Sequence, residues 1–145
     1  MRHIMVATDG SESADRAVDV AAELTAAVGG DLNILHVSGD LSGKALDELK
    51  RSPSMEKLVG DAIDAHSQGI LMRAHDRARD KGVRQIHTQQ SWGDAAEKIL
   101  DTVQSEKVDA LVVGRRGRGR LAGLLLGSVS QKVASLAPCA VIIVP

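Results

Sequence analysis

The chain has 145 residues and a net charge of −1, and we expect residues 1–145 to form a single domain. Its 26% of charged and 43% of hydrophobic residues exclude an intrinsically disordered chain. Trp92 is its one aromatic residue, so the chain has neither the positive field nor the stacking side chains of a nucleic-acid-binding protein.

Cysteine content and hydropathy limit the chemistry and the location further. Cys139 is the one cysteine, which excludes an intramolecular disulfide and a zinc site of paired cysteines. The first residues run directly into the polar turn Asp9-Gly10-Ser11, without the apolar region of a signal peptide. No apolar stretch approaches the roughly 20 residues of a membrane-spanning helix. We therefore expect a cytoplasmic protein that does not insert into membranes.

Capping residues and apolar periodicity predict the elements of the first half. They are a strand at Ile4–Ala7, a helix capped by Ser11 and ended by Gly29-Gly30, a strand at Leu32–Val37, and a helix from Met55 to Lys81 with Gly82 as its C-cap. Two glycines inside the long helix count against it, because each costs about 1 kcal/mol relative to alanine. Residues 39–54 predict a loop with a short helix around Ala45–Leu49.

The second half predicts three further strands and two helices. These are a strand at Val83–Gln90, a helix opened by Gly93-Asp94 that reaches Val103, a buried strand at Ala110–Val113, a helix that begins at Ser128 with a capping box to Gln131, and a strand at Val141–Val144. Strands that alternate with helices predict an α/β fold with a parallel sheet and helices on both faces. Ligands of such sheets bind beyond the carboxyl ends of the strands, where the strand order reverses. We expect the site to join the turns after the first and fourth strands.

The segment from Gly114 to Ser130 carries the clearest chemical signal. Glycines allow a backbone to approach phosphate groups closely, and the N–H groups at the start of the next helix form an anion-binding end. Arginines add positive charge at positions 115, 116, 118 and 120. A solvated loop whose glycines only turn the chain explains the composition equally well. Its position directly after a buried strand favours the ligand-binding interpretation.

Two common phosphate motifs do not fit this segment. A P-loop requires Lys and then Ser or Thr after its second glycine, whereas Gly119 is followed by Arg120 and Leu121. The spacing of Gly117, Gly119 and Ala122 matches a loose dinucleotide-binding pattern, but no acidic residue follows at the distance that a ribose requires. We reject the first motif and interpret the second match as accidental.

A third pattern matches without gaps: Gly114, two residues, Gly117, nine residues, and Gly127-Ser128. With this pattern the chain resembles the ATP-binding members of the universal stress protein family. Other segments resemble the same family: Ile4–Ser11 its first strand and acidic turn, Leu35–Val37 its second strand, Gly93–Ile99 the start of its third helix, and Pro138–Pro145 its last strand. The resemblance covers the whole chain except the variable stretch after Gly39.

The resemblance implies a Rossmann-like fold, an open five-stranded parallel sheet of strand order 3-2-1-4-5, and a site for ATP with Mg²⁺. Asp9 would lie near the ribose and base, Val37 would line the adenine through its backbone, and the segment from Gly127 would surround the phosphates. The implied binding residues are Ala7, Asp9, Val37, Val113, Gly114, Arg116, Gly117, Gly127, Ser128, Val129 and Ser130. Ser128 as a helix N-cap supports the phosphate assignment independently, since it leaves N–H donors available.

Asp9 and the histidines also have plain structural explanations. Asp9, at the end of a strand, is suited to binding a ribose hydroxyl or a magnesium ion, but it is equally suited to capping the following helix. The five histidines are scattered along the chain and form no ligand set. We therefore expect no metal site in the protein itself, only Mg²⁺ carried on the phosphates.

The resemblance also implies how the protein assembles and acts. The strand Val141–Val144 would be an exposed sheet edge, and family members pair these strands in a two-fold homodimer, with tetramers left open. The first hypothesis is a nucleotide-binding regulator that acts through dimerisation and an unidentified protein partner. The second is a slow ATPase, for which we find no convincing nucleophile and base. The third is a structural stress-response dimer that binds no nucleotide.

Overall fold

The structure is a computed structural model and describes residues 1–39, 44–116 and 126–145. Its strands are β1 His3–Ala7, β2 Asp31–Ser38, β3 Gln85–Trp92, β4 Ala110–Gly114 and β5 Ala140–Val144. Its helices are α1 Glu12–Val28, α2 Lys44–Lys50, α3 Pro53–Asp80, α4 Ala95–Ser105 and α5 Ser128–Leu136. The short helix predicted within residues 39–54 is α2.

The five strands form one parallel sheet in the order β3-β2-β1-β4-β5, which confirms the predicted fold. β1 lies at the centre, with Val6 opposite Ile34 of β2 on one side and Val112 of β4 on the other. The chain leaves β1 toward β2 and β3, and later returns to the other side for β4 and β5. The strand order therefore reverses next to β1, and the carboxyl ends of β1 and β4 border a crevice.

Apolar residues alternate between the two faces of the sheet, because successive side chains of a strand point to opposite sides. Val6 and Ile34 pack toward α1 and α3, whereas Met5 and Leu35 pack toward α4 and α5. Helices therefore cover both faces. The chain has no Phe or Tyr, and fully buried small residues such as Ala17 let α1 approach the sheet closely.

Ser11 and Gly29 bound α1, as the sequence predicts. The Ser11 hydroxyl accepts a hydrogen bond from the Ala14 N–H at 3.2 Å. Gly29 takes the left-handed conformation, with φ 63°, and donates its N–H to Ala26 O. Local chemistry is sufficient to define both ends of this helix.

Burial explains why α3 continues through Gly60 and Gly69. The buried residues of its second half are Ser67, Ile70, Leu71, Ala74 and Ala78. The C-cap is Lys81 and not Gly82, which follows with φ 95° and donates its N–H to Arg79 O at 2.9 Å. Although α3 has 28 residues, neither it nor another helix of the described ranges is apolar enough along its length to cross a bilayer.

β3 begins and ends later than predicted, at Gln85–Trp92 instead of Val83–Gln90. Pairing with β2 sets these limits, from Asp31 opposite Gln85 to Ser38 opposite Trp92. Val83 is buried, with 4% exposure, but it lies in the turn before the strand. Its apolar side chain belongs to the core and not to the strand ladder.

α5 begins at Ser128, but its N-cap is Gly127, so the predicted capping box of Ser128 with Gln131 is wrong. The Gly127 backbone is extended, with φ −70° and ψ 166°. Its N–H donates to Arg115 O at 2.8 Å, next to the end of β4. A backbone contact between two segments, and not a serine hydroxyl, therefore fixes the start of α5.

Candidate functional site

A pocket of about 320 Å³ opens at the carboxyl ends of β1 and β4, where the strand order reverses. The end of β1 with its following turn, the end of β4 and the start of α5 surround it, and residues of β2 and α4 complete one wall. The lining residues are Ala7, Thr8, Asp9, Ala14, Leu35, Val37, Ala95, Ile99, Val113, Gly114, Arg116, Leu126, Gly127, Ser128, Val129 and Ser130.

The pocket brings together most of the residues that the resemblance implies. They are Ala7, Asp9, Val37, Val113, Gly114, Arg116, Gly127, Ser128, Val129 and Ser130. Gly117 lies outside the described residues. A shared position around one pocket makes a shared ligand possible, and the role of each residue in binding a nucleotide stays a prediction.

Sequence reasoning missed the apolar and small residues that complete the pocket. They are Thr8, Ala14, Leu35, Ala95, Ile99 and Leu126. Leu35 and Ile99 are buried, with 1% and 2% exposure, and their periodicity predicts a core position without indicating a cavity beside it. The position of Leu35 along its strand could have indicated the pocket. It lies opposite Ala7, the last residue of β1, at the end of the sheet where ligands bind.

One wall of the pocket is apolar. Leu35, Ile99 and Val113 lie there with at most 3% exposure. Val37 and Val129 are half-buried and pack against the same core cluster. A concave apolar wall with few polar groups is typical of a site for a flat, weakly polar ring.

The turn after β1 places a carboxylate at the pocket. Asp9 Oδ1 accepts a hydrogen bond from the Ser11 N–H at 2.9 Å, and Thr8 Oγ1 accepts one from the Gly10 N–H at 3.1 Å. Gly10 has φ 80°, in the region that favours glycine. The N-cap of α1 is Ser11, so helix capping does not explain the aspartate at position 9.

The start of α5 presents backbone N–H groups to the pocket. Ser128 and Val129 are its first residues, and N–H groups in the first turn of a helix have no carbonyl partner within the helix. Together with the helix dipole, they are suited to binding an anion. The Ser130 hydroxyl instead faces backbone, 2.8 Å from Arg115 O and 3.1 Å from Gly127 O. Its one proton is therefore donated within the protein.

Gly114 has a packing role in addition to its place at the pocket. A Cβ at this position would lie 2.6 Å from Ser13 Oγ and 3.0 Å from the Ser13 carbonyl carbon. Glycine is therefore what lets the start of α1 pack against the end of β4. At Gly127, a Cβ would lie 3.4 Å from both Arg115 O and Arg116 Cα, which is ordinary contact. An alanine at position 127 therefore meets no severe overlap in the fold.

Within the ranges that the structure describes, no three His, Cys, Asp or Glu side chains form a metal-binding group. His3 Nδ1 lies 2.7 Å from Asp31 Oδ1 at the other end of the sheet. His36 is buried, with 6% exposure, and its Nδ1 donates to Thr8 O at 2.8 Å. These two histidines therefore have structural contacts.

β5 lies at one edge of the sheet, in the position that the resemblance implies. Ala140 is exposed, the residues from Val141 to Ile143 are half-buried and Val144 is buried. Val144 O accepts hydrogen bonds from the Arg115 N–H at 2.6 Å and from Ser13 Oγ at 3.3 Å. The end of β5 is thus tied to both pocket segments, while its pairing with a second copy stays a prediction.

Comparison with known protein families agrees with the fold. The model of the universal stress protein family matches residues 1–145. The chain belongs to the universal stress protein family. The glycine pattern from Gly114 to Ser128 includes Gly117, which lies outside the described residues, and its assignment to ATP-binding members of the family stays a prediction.

Named universal stress proteins resemble the chain over nearly its whole length. Universal stress protein YxiE of Bacillus subtilis is 34% identical over 154 residues, covering 97% of each chain. Universal stress protein Rv1636 of Mycobacterium tuberculosis is 34% identical over 145 residues, covering 97% of this chain and 94% of that protein. A crystal structure of a universal stress protein in complex with cAMP is 31% identical, with a TM-score of 0.75, and covers 99% of this chain and 95% of that one.

Proposed function

We propose that residues 1–145 form a single nucleotide-binding domain that binds ATP with Mg²⁺ in the pocket between β1 and β4. In this proposal, nucleotide occupancy regulates a protein partner through a homodimer. The observation that carries the proposal is the meeting of an apolar wall, a carboxylate turn and a helix N-terminus around one pocket.

The apolar wall supports a base-binding half of the pocket. Val37 and Val129 are half-buried side chains that offer apolar contact area to a heterocycle and no competing charge. The buried cluster with Leu35, Ile99 and Val113 supports them. Val37 provides backbone polar groups at the end of β2, where the resemblance implies the adenine. Asp9 lies nearby on the turn after β1, as a carboxylate suited to accepting hydrogen bonds from ribose hydroxyls.

The start of α5 supports a phosphate-binding half. The N–H groups of Ser128 and Val129 belong to the first helical turn, and Arg116 lines the same pocket. Phosphates bind where such N–H groups and the positive end of a helix coincide. Mg²⁺ usually keeps several waters and binds through phosphates and one or two carboxylates, so Asp9 is a sufficient protein ligand.

The solved complex with cAMP supports an adenine nucleotide as the ligand class, because that universal stress protein is 31% identical to this chain. It does not favour ATP over a mononucleotide. Within this ligand class, we propose a regulator that binds the nucleotide without turnover, and a slow ATPase is the alternative.

An edge strand supports dimerisation. β5 ends the sheet, and an unpaired edge is a template for another strand. We propose that Val141–Val144 pairs with its copy in a two-fold dimer. The Val144 carbonyl accepts from the Arg115 N–H, so the backbone N–H of the neighbouring Ile143 faces the open edge. Sedimentation equilibrium measures the dimer directly: Ile143→Pro would leave one chain per particle, whereas an unchanged mass would overturn this contact.

Calorimetric titration tests the ligand assignment. Protein first shown to be free of nucleotide would be titrated with Mg-ATP, Mg-ADP, AMP and cAMP. We expect micromolar binding of Mg-ATP, and at least a tenfold loss in Gly127→Val, whose side chain would stand next to Arg116 and Ser130 of the pocket lining. Urea unfolding of this variant checks that its fold is retained. Gly69→Ala is the matched control, since a Cβ at Gly69 has nothing within 4 Å.

The titration has outcomes that contradict the proposal. Heat of binding with AMP or cAMP, and none with Mg-ATP, would identify a mononucleotide as the ligand instead of ATP. Unchanged affinity in Gly127→Val would remove the nucleotide from this pocket, and no binding by the native chain would favour the structural dimer. Phosphate release that is lost in Asp9→Ala would favour the slow ATPase instead.

A further inference from the structure

Two side chains outside the pocket contact the turn that carries Asp9. Arg73 of α3 donates from Nη2 to Gly10 O at 2.8 Å and to Asp15 Oδ1 at 3.1 Å. His36 of β2 donates from Nδ1 to Thr8 O at 2.8 Å. Neither residue lines the pocket, and the sequence analysis predicts neither as functional.

These contacts complete the hydrogen bonding of the turn. The N–H groups of Gly10 and Ser11 donate to the side chains of Thr8 and Asp9, within the turn itself. The carbonyls of Thr8 and Gly10 are the groups that His36 and Arg73 bind from outside. His36 therefore holds the peptide before Asp9, and Arg73 holds the peptide between Gly10 and Ser11, whose N–H binds Asp9 Oδ1. The direction of the Asp9 carboxylate depends on both peptides.

The packing of α3 fixes the position of Arg73. Three ion pairs join α3 to α1, namely Arg73 with Asp15, Arg77 with Asp19 and Lys81 with Glu23. The partners are 58 residues apart in every pair, so the two helices run parallel in one register. Arg73 is the member of this ladder nearest the pocket, and it alone among the three also contacts the turn.

We propose that Arg73 and His36 are positioning residues for nucleotide binding, which hold the turn from Thr8 to Ser11 so that Asp9 faces the ligand. This inference rests on the proposed function of the pocket. It connects α3, on the far face of the sheet, to a site that α4 and α5 border on the other face. A change in the position of α3 therefore changes the affinity of the site.

Amide hydrogen exchange of the ligand-free protein is the first test. In Arg73→Gln we expect the N–H groups of Gly10 and Ser11 to exchange at least about fivefold faster, because the turn loses an outside contact. Arg77→Gln is the matched control, since it removes an ion pair of the same ladder that does not touch the turn. Equal exchange in both variants would overturn the inference whether or not the protein binds nucleotide.

Titration with Mg-ATP is the second test. We expect about a threefold loss of affinity in Arg73→Gln, because the turn must be ordered again on binding and a half-exposed contact orders it only modestly. We expect no loss in Arg77→Gln. Arg73→Lys should recover part of the loss, because an ammonium can still donate to Gly10 O. At position 36, His36→Asn keeps an amide N–H near the position of Nδ1. This variant should therefore bind Mg-ATP more tightly than His36→Leu.

The two tests separate this inference from the proposed function. Native binding with equal affinities in Arg73→Gln and Arg77→Gln would overturn the positioning role and leave the pocket assignment intact. No binding by the native chain would overturn both, even if exchange in the turn were faster.

Discussion

Arg77 of α3 donates two hydrogen bonds to the carboxylate of Asp19 on α1, from Nε at 3.1 Å and from Nη2 at 2.6 Å. The hydrogen bond to Asp19 raises the pKa of the Arg77 guanidinium above its ordinary value. The pair lies in the middle of the ladder between the two helices, with Asp15 and Glu23 paired on either side. The register of α3 on α1 thus has an electrostatic component in addition to the buried alanines between the helices.

A double-mutant cycle of Arg77→Gln and Asp19→Asn measures this pair. We expect a coupling free energy of about 0.5–1 kcal/mol, because two parallel hydrogen bonds form but the side chains remain 37% and 27% exposed. High salt should reduce the coupling. The pair Arg79–Asp76 is the control, since it is more exposed and its atoms are 3.4 Å apart, and it should show almost none. Equal couplings for the two pairs would contradict the prediction.

Gly114→Ala should destabilise the fold by about 1–3 kcal/mol, because its Cβ would overlap Ser13. Gly127→Ala should cost less than about 1 kcal/mol, the loss of a favourable N-cap glycine, since its Cβ meets only ordinary contacts. Urea unfolding followed by circular dichroism gives both free energies. The reverse order of the two costs would show that the start of α1 is not packed against β4 as described.

Asp109 should make the fold sensitive to acid. The N–H groups of His3 and Arg2 donate to its carboxylate, which lowers its pKa below the ordinary value of 3.8. A carboxyl group whose pKa is lower in the folded state than in the unfolded state stabilises the fold at pH values above its unfolded pKa. This stabilisation is lost as the pH falls through its folded pKa. As the pH falls below the pKa of the unfolded state, the free energy of unfolding should therefore decrease. It should decrease less steeply in Asp109→Asn.

Urea unfolding at a series of pH values checks the acid sensitivity. Asp101→Asn, on the exposed side of α4, is the control and should keep the slope of the native chain. Identical slopes for Asp109→Asn and the native chain would rule out a contribution from Asp109.

Cys139 should react slowly with iodoacetamide in the folded protein. Burial raises the pKa of its thiol above the ordinary value of 9.0, and the thiolate is the reactive form. At pH 8 the folded chain should therefore be alkylated more slowly than the chain in urea, where the thiol is solvated. Mass spectrometry of quenched samples gives both rates, and a folded rate equal to the unfolded one would contradict the burial.

The sequence predicts those features that depend on neighbouring residues. Ser11 and Gly29 cap α1 through contacts within a few positions, and the continuous apolar run Ala110–Val113 predicts a buried strand. The ends of β3 depend on pairing with β2, so local patterns misplace them. They place the start of α5 correctly at Ser128 but misassign its N-cap, which is Gly127 in contact with Arg115. The same distinction applies at the pocket.

Pocket residues that belong to a recognisable pattern were predicted, and those that reach it through tertiary packing were not. Asp9 and Gly127 belong to such patterns. Ile99 comes to the pocket from a helix that packs on the sheet, and its periodicity indicates only a core position. Arg73 reaches the turn from α3, across a span of sequence that no local motif connects.

The pairing of β1 with β4 makes the pocket a property of the complete fold. Ile4 lies opposite Ala110, and the chain between them includes α1, α3 and α4 with their strands. A partly folded chain that has formed β1, β2 and β3 possesses one half of the site. A ligand that requires both halves therefore binds the native state alone and stabilises it by mass action, by about 2.7 kcal/mol at a hundredfold excess over its Kd. A rise of melting temperature with ligand concentration then reports binding to the complete fold and not to a partly folded chain.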